Sequence, residues 1–126
     1  MPPVTEPDID TQLRKFQKEL SAGTVSLALL AVLEAAGEPM YGYQIAKRLE
    51  RFGGGVLSGK QSALYPVLRN LGGAGLLDSH VEPSMSGPPR RYYGITAAGR
   101  ETLHAWAAAW RATRDSVDAV LEGKQP

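Results

Sequence analysis

The side chains of this 126-residue chain best equipped for chemistry lie between Lys60 and Arg69. Lys60, Gln61, Ser62, Tyr65 and Arg69 all carry groups that hydrogen-bond phosphate oxygens or base edges. Between them, Leu64, Leu68 and Leu71 recur at helical spacing, so one face is apolar and the other polar. The major groove of duplex DNA admits a helix of this kind. An ordinary amphipathic surface helix has the same pattern, and Gln61 and Ser62 could equally cap its start. Arg90 and Arg91 follow a stretch rich in proline, serine and glycine at 83–89. At a hairpin they would meet a nucleic-acid backbone or remain a solvated pair. Lys47, Arg48 and Arg51 read as a solvated helix face.

Other chemistries lack their residues. The chain has no cysteine, which excludes disulfides, zinc–thiolate sites and cysteine nucleophiles. His80 and His104 have no ligand-type partners at metal spacing, so neither metal nor cofactor is expected. No phosphate-cradling glycine loop followed by lysine and serine occurs, and no histidine–carboxylate cluster or paired catalytic carboxylates. An enzyme is not expected.

The net charge is only +1, but it is unevenly spread. Between Glu38 and Arg100 there are eight cations and four anions, whereas the rest of the chain has six cations and nine anions. A local basic face binds phosphate without a strongly basic whole. The longest apolar run, Leu27 to Leu33, is far short of the roughly 20 residues a bilayer span needs. The first residues lack the basic-then-apolar layout of a secretion signal. A cytoplasmic protein with no membrane partner is expected, and the length suits one domain.

The elements that would position these residues follow from pattern. Residues 1–8, with prolines at 2, 3 and 7, read as a disordered leader. Asp10 or Thr11 would cap a helix to about Leu20, and Ser21-Ala22-Gly23 would break it. A second helix, Val25 to Ala36, is apolar nearly all round and belongs at the centre, with Gly37 as its left-handed stop. A third helix spans Tyr41 to Arg51 with Ile45 and Leu49 inward, and glycines 53–55 form a connection. The helix starting near Gln61 ends at Gly75, with Pro66 tolerated near its first turns. Leu77 to Glu82 and Arg90 to Thr96 alternate with period two and read as a hairpin joined by 83–89. Thr96 would cap a last helix from Ala97 to about Leu121.

This order predicts a mainly α fold with a small two-stranded hairpin. It is the winged helix-turn-helix plan at 9–96, with a long dimerisation helix and tail at 97–126. In the last helix Leu103, Trp106, Trp110, Thr113, Val117 and Val120 are spaced 3, 4, 3, 4 and 3, a heptad seam. Two indoles on one stripe need a partner surface. Leu103, Trp106, Trp110, Val117 and Val120 are therefore expected at a homodimer interface, although packing against the N-terminal helix would serve the same stripe. A symmetric pair would present two recognition helices roughly 34 Å apart, suited to a palindromic site.

From about Thr11 to Gly123 the chain resembles the PadR-like transcriptional regulators. The motifs are L-A-L-L-A-V-L at 27–33, Y-G-Y-Q-I at 41–45 and S-A-L-Y-P-V-L-R-N-L at 62–71. G-L-L at 75–77, S-G-P-P-R-R-Y-Y-G-I-T at 86–96 and A-G-R at 98–100 complete the set. The single C-terminal helix is similar to that of the family's smaller members. The resemblance implies a dimeric repressor of double-stranded DNA, with contacts at Tyr41, Gln61, Ser62, Tyr65, Arg90 and Arg91. It also implies that Trp110 stacks on a small aromatic effector at the dimer interface, and Trp106 beside it would complete a two-indole ligand platform. Gln61-Ser62-Ala63 departs from the glycine then threonine or serine usual at the start of the recognition motif, and Gly72-Gly73 replace charged residues. Both departures bear on which operator is read. A winged-helix module that binds a ligand or a protein without DNA is the competing expectation.

Overall fold

The computed structural model describes residues 6–52, 61–123 and 125. Most of the expected leader, the connection at 53–55 and Lys60 lie outside the described residues. The elements run α1 (Ile9–Ala36), β1 (Met40–Tyr41), α2 (Gly42–Glu50), α3 (Gln61–Gly73), β2 (Leu77–Ser84), β3 (Gly87–Ile95) and α4 (Ala97–Leu121). The strands form one antiparallel sheet in the order β1-β3-β2. The fold is mainly helical with a small hairpin and terminal helices, the winged helix-turn-helix arrangement.

All seven elements contribute to one core. Leu29, Leu30 and Leu33 of α1 meet Ile45 and Leu49 of α2, and Leu64, Leu68 and Leu71 of α3. Met40, Leu77, Tyr93 and Leu103 close it from the strands and α4. The helical leucine stripes thus face inward as their spacing predicts. Each such side chain taken from water is worth about 1.5–3 kcal/mol. By length and composition alone α1 is apolar enough to cross a bilayer. Its leucines 29, 30 and 33 are instead buried at the centre of this core.

The N-terminal segment corrects one expectation. A break at Ser21-Ala22-Gly23 does not occur, and a single 28-residue helix runs through it. One interior glycine costs only about 1 kcal/mol against alanine. The Ser21 and Thr24 hydroxyls donate back to the carbonyls of Lys18 and Leu20, at 3.2 and 2.9 Å, without interrupting the helix. The cap is Asp8, not Asp10 or Thr11: its carboxylate accepts from the Asp10 N–H at 3.1 Å and the Thr11 hydroxyl at 2.6 Å. These bonds, that of the Thr11 side chain foremost, hold the Asp8 carboxyl below its ordinary range.

The hairpin is longer than its prolines predict. Ser84 pairs with Gly87, so only Met85 and Ser86 form the turn. Proline lacks a ladder donor and is confined to edges and bulges. Pro83 sits on the edge strand β2, where the register shifts between Glu82 and Ser84. Pro88 and Pro89 lie on the part of β3 that β1 does not reach, because β1 pairs only with Tyr92 and Tyr93. Two-residue β1 is itself an element that periodicity cannot reveal.

The start of α4 is tied to the end of α3. Gly75, at φ +80°, ends α3 in the left-handed region, as Gly37 at +69° ends α1. The Thr96 N–H donates to the Leu76 carbonyl at 3.1 Å, and its hydroxyl donates to the Gly75 carbonyl at 2.8 Å. The same hydroxyl accepts from the Gly99 N–H at 3.0 Å, which makes it the cap of α4. Gly99 packs tightly on the link between α3 and β2 and on the end of β3. A Cβ there would collide with the Leu76 carbonyl oxygen and stand 2.7 Å from Ile95 Cγ1. Gly99→Ala should therefore lose about 2–3 kcal/mol, a fall in Tm on the order of 10 °C. Gly23→Ala, with nothing within 4 Å of the new methyl, should gain up to about 1 kcal/mol. Thermal unfolding followed by circular dichroism at fixed protein concentration measures both.

Candidate nucleic-acid interface

α2 and α3 cross where Tyr65 meets Gly42. A Cβ at Gly42 would lie 3.1 Å from both Cε1 and the hydroxyl of Tyr65, so glycine lets the ring settle on the first turn of α2. Tyr65 remains 38% exposed. Arg69, one turn further along α3, is exposed. Gln61 and Ser62 begin α3, and Lys60 lies just before it, outside the described residues.

Strand alternation splits the two arginines of the wing. Arg91 shares a face with Val81, Tyr93 and Ser79, and its Nη1 donates to Ser79 Oγ at 3.0 Å. Arg90 lies on the opposite face beside Glu82, and its guanidinium carbon sits 4.5 Å from the centre of the Tyr41 ring. The pair thus faces two directions, which the adjacent sequence positions do not convey.

Tyr41, half-buried on β1, is the hub of that second face. Tyr92 meets it edge-on at 5.4 Å and 66°, and His80 stacks behind Tyr92 at 5.6 Å and 13°. On its other side Tyr43 lies nearly parallel at 6.3 Å and 18°. Lys47 Nζ is 5.6 Å from the Tyr43 ring centre. Cation–ring and ring–ring contacts of this geometry are individually weak and act together to hold orientation. The sequence marks Lys47 only as part of a solvated face and His80 only as a lone histidine, and it does not point to Tyr43 or Tyr92. The i,i+4 spacing of Tyr43 and Lys47 is a usable signal for one pair. The cross-strand neighbours are not legible without β1.

A different surface forms along α1 and α4. Leu103 is 6% exposed and belongs to the chain's own core, so the open stripe of α4 starts at Trp106. Trp106 and Trp110 are 37% and 38% exposed, and Val117 and Val120 more so. Ile9, Leu13, Phe16 and Leu20 of α1 are also exposed, spaced 4, 3 and 4. Between the helices runs an open groove of about 580 Å³, lined by Leu20, Gly23, Leu27, Trp106, Trp110 and Thr113 among others. The start of the α4 stripe packs within the chain's own core, the two indoles flank the groove against α1, and Val117 and Val120 are exposed. Among the described residues no group of three or more histidine, aspartate or glutamate side chains converges as a metal site would need.

Relatives share this architecture. A PadR family transcriptional regulator from Eggerthella lenta superposes with a TM-score of 0.72 at 33% identity, covering 90% of this chain and 96% of the other. A PadR-like transcriptional regulator from Bacillus cereus gives 0.68 at 25% identity, covering 84% and 99%. An uncharacterized protein of Lysinibacillus sphaericus is 26% identical over 98 residues, 78% of this chain and 87% of its own length. The profile of the transcriptional regulator PadR-like family matches residues 29–105, from the buried leucines of α1 through the wing to the first turns of α4. With that match spanning more than half its length, the chain belongs to the PadR-like family of transcriptional regulators.

Proposed function

We propose that the protein is a homodimeric repressor that binds a palindromic operator in double-stranded DNA. In this reading residues 9–96 are the DNA-binding domain and 97–126 supply the dimerisation helix and tail. Helix α3 enters the major groove with Lys60, Gln61, Ser62, Tyr65 and Arg69 toward the DNA. Tyr41, Arg90 and Arg91 meet the backbone beside it. The observation that carries the reading is the Arg90–Tyr41 contact. It fixes a wing cation next to the start of α2, on the segment where the chain's positive charge concentrates.

The uncovered stripes of α1 and α4 support the pairing of two copies, with Trp106, Trp110, Val117 and Val120 in the joint surface. A small planar aromatic effector would enter the groove beside Trp106 and Trp110 and release the operator by altering the spacing of the two wings. The competing reading, a ligand-binding or protein-interaction module without DNA binding, draws on the net charge of +1 and the same groove. Quenching of tryptophan emission by a planar aromatic compound, with no change on DNA, would favour it.

Fluorescence anisotropy on a duplex from upstream of the protein's own gene tests DNA binding. Arg91→Ala should weaken affinity about fivefold at 0.1 M salt and lower the salt slope by about one. Tyr65→Phe keeps the ring on Gly42 and removes only the hydroxyl, so a loss of affinity with unchanged Tm would mark a direct contact. Equal affinity of both variants and the wild type would sink this reading. Sedimentation tests the pairing: Trp110→Glu should weaken dimerisation roughly thirtyfold or more, as expected for a central indole. It should also remove the preference for two half-sites over one.

A further inference from the structure

We propose that Tyr43 and Lys47, on the exposed face of α2, form an additional contact to the DNA backbone, in which a phosphate replaces Glu50 as the partner of the Lys47 ammonium. This rests on the DNA-binding reading above and adds to it a helix face that sequence marks only as solvated. The Arg90 guanidinium, the Tyr41 ring, the Tyr43 ring and the Lys47 ammonium follow one another at 4.5, 6.3 and 5.6 Å. One file therefore joins the wing to α2, with a cation at each end. Tyr43, Lys47 and Arg51 are four residues apart in turn and continue the file along exposed surface.

The first helix of a helix-turn-helix pair crosses the DNA backbone, so a file starting at the wing and running down α2 lies along the expected course of the phosphates. Lys47 is held only loosely at present. Its ion pair with Glu50 spans 3.4 Å, and both side chains are 55% exposed. Exposed pairs of this kind contribute little and are screened by salt. A backbone phosphodiester has the same single charge and two free oxygens as the carboxylate. It belongs, however, to a densely charged duplex that releases condensed counterions when a cation joins it, and this drives the exchange. The hydroxyl of Tyr43, whose ring lies between the Tyr41 ring and the Lys47 ammonium, is a second donor at the same place. Glu50 then opposes binding twice, by holding the ammonium and by repelling the approaching phosphate. Removing its charge should raise affinity.

Anisotropy titrations of the full chain across a salt series, on the operator fragment and on an unrelated duplex, test this, with Arg90→Ala as reference. Lys47→Gln should bind roughly five- to tenfold more weakly at 0.1 M salt, by the same factor on both duplexes, with a salt slope smaller by about one. Tyr43→Phe should show a smaller uniform loss, and Glu50→Gln should bind about twofold more tightly. Thermal melts should stay unchanged, since all three side chains are exposed. If Lys47→Gln leaves affinity and slope unchanged while Arg90→Ala weakens binding, the α2 contact is overturned and the DNA-binding reading stands. A loss confined to the operator would also overturn it, because that marks a base contact. No measurable affinity of the wild type for either duplex overturns both.

Discussion

The Leu76 carbonyl and the residues that close on it fix the relation between the wing, the recognition helix and α4. Thr96 donates to it through its N–H, and Gly99 approaches it closer than any side chain would allow. Four elements meet there: α3 ends at the left-handed Gly75, β2 leaves, β3 returns and α4 begins. A single hydroxyl, that of Thr96, both donates to Gly75 and caps α4. The direction of α4 is therefore set by the same backbone groups that set the root of the wing. Movement at the open end of α4 cannot be absorbed at this joint by side-chain adjustment, because the contact is backbone against backbone. It must pass into α3 and the hairpin or be resisted.

The wing itself is held by softer means. Between Arg91 and the turn no third strand flanks the ribbon among the described residues, and nearly all of its residues are exposed. Its orientation relative to α2 rests on the two residue pairs of β1 with β3 and on the ring contacts of Tyr41 with Tyr92 and Arg90. Each ring contact is worth on the order of 0.5–1.5 kcal/mol, enough to bias a position without locking it. A rigid base and a compliant tip suit a ribbon that must follow the shape of a backbone.

The sequence made the helical core legible because leucine spacing of three and four has one physical solution in a small domain. Leu64, Leu68 and Leu71 face inward for that reason, and Gly37 and Gly75 end their helices because positive φ favours glycine. Its reading failed where local signals were weaker than the context. Ser21-Ala22-Gly23 has the composition of a break, yet the cost of one glycine is small beside the cost of ending a helix that buries three leucines. Pro83, Pro88 and Pro89 resemble a loop, yet open edges accept them. The candidate site was half legible: Tyr41, Tyr65, Arg69, Arg90 and Arg91 could be named one by one. Their grouping depends on β1 and on strand parity, which put Arg90 with Tyr41 and Arg91 with Ser79.

A net charge of +1 is compatible with operator binding if affinity arises from pairing. One winged unit brings only a handful of cations near the duplex, too few for tight binding at physiological salt. Joining two units makes the second half-site encounter intramolecular, at an effective concentration in the millimolar range for a short connection. Affinity then depends on spacing as steeply as on contacts, and spacing in the proposed dimer is set where the α1 and α4 stripes meet. A chain built this way gains little from added positive charge, which would favour unrelated DNA equally. It gains from a joint whose geometry is well defined, and two indoles beside an open groove place large, rigid surfaces at that joint.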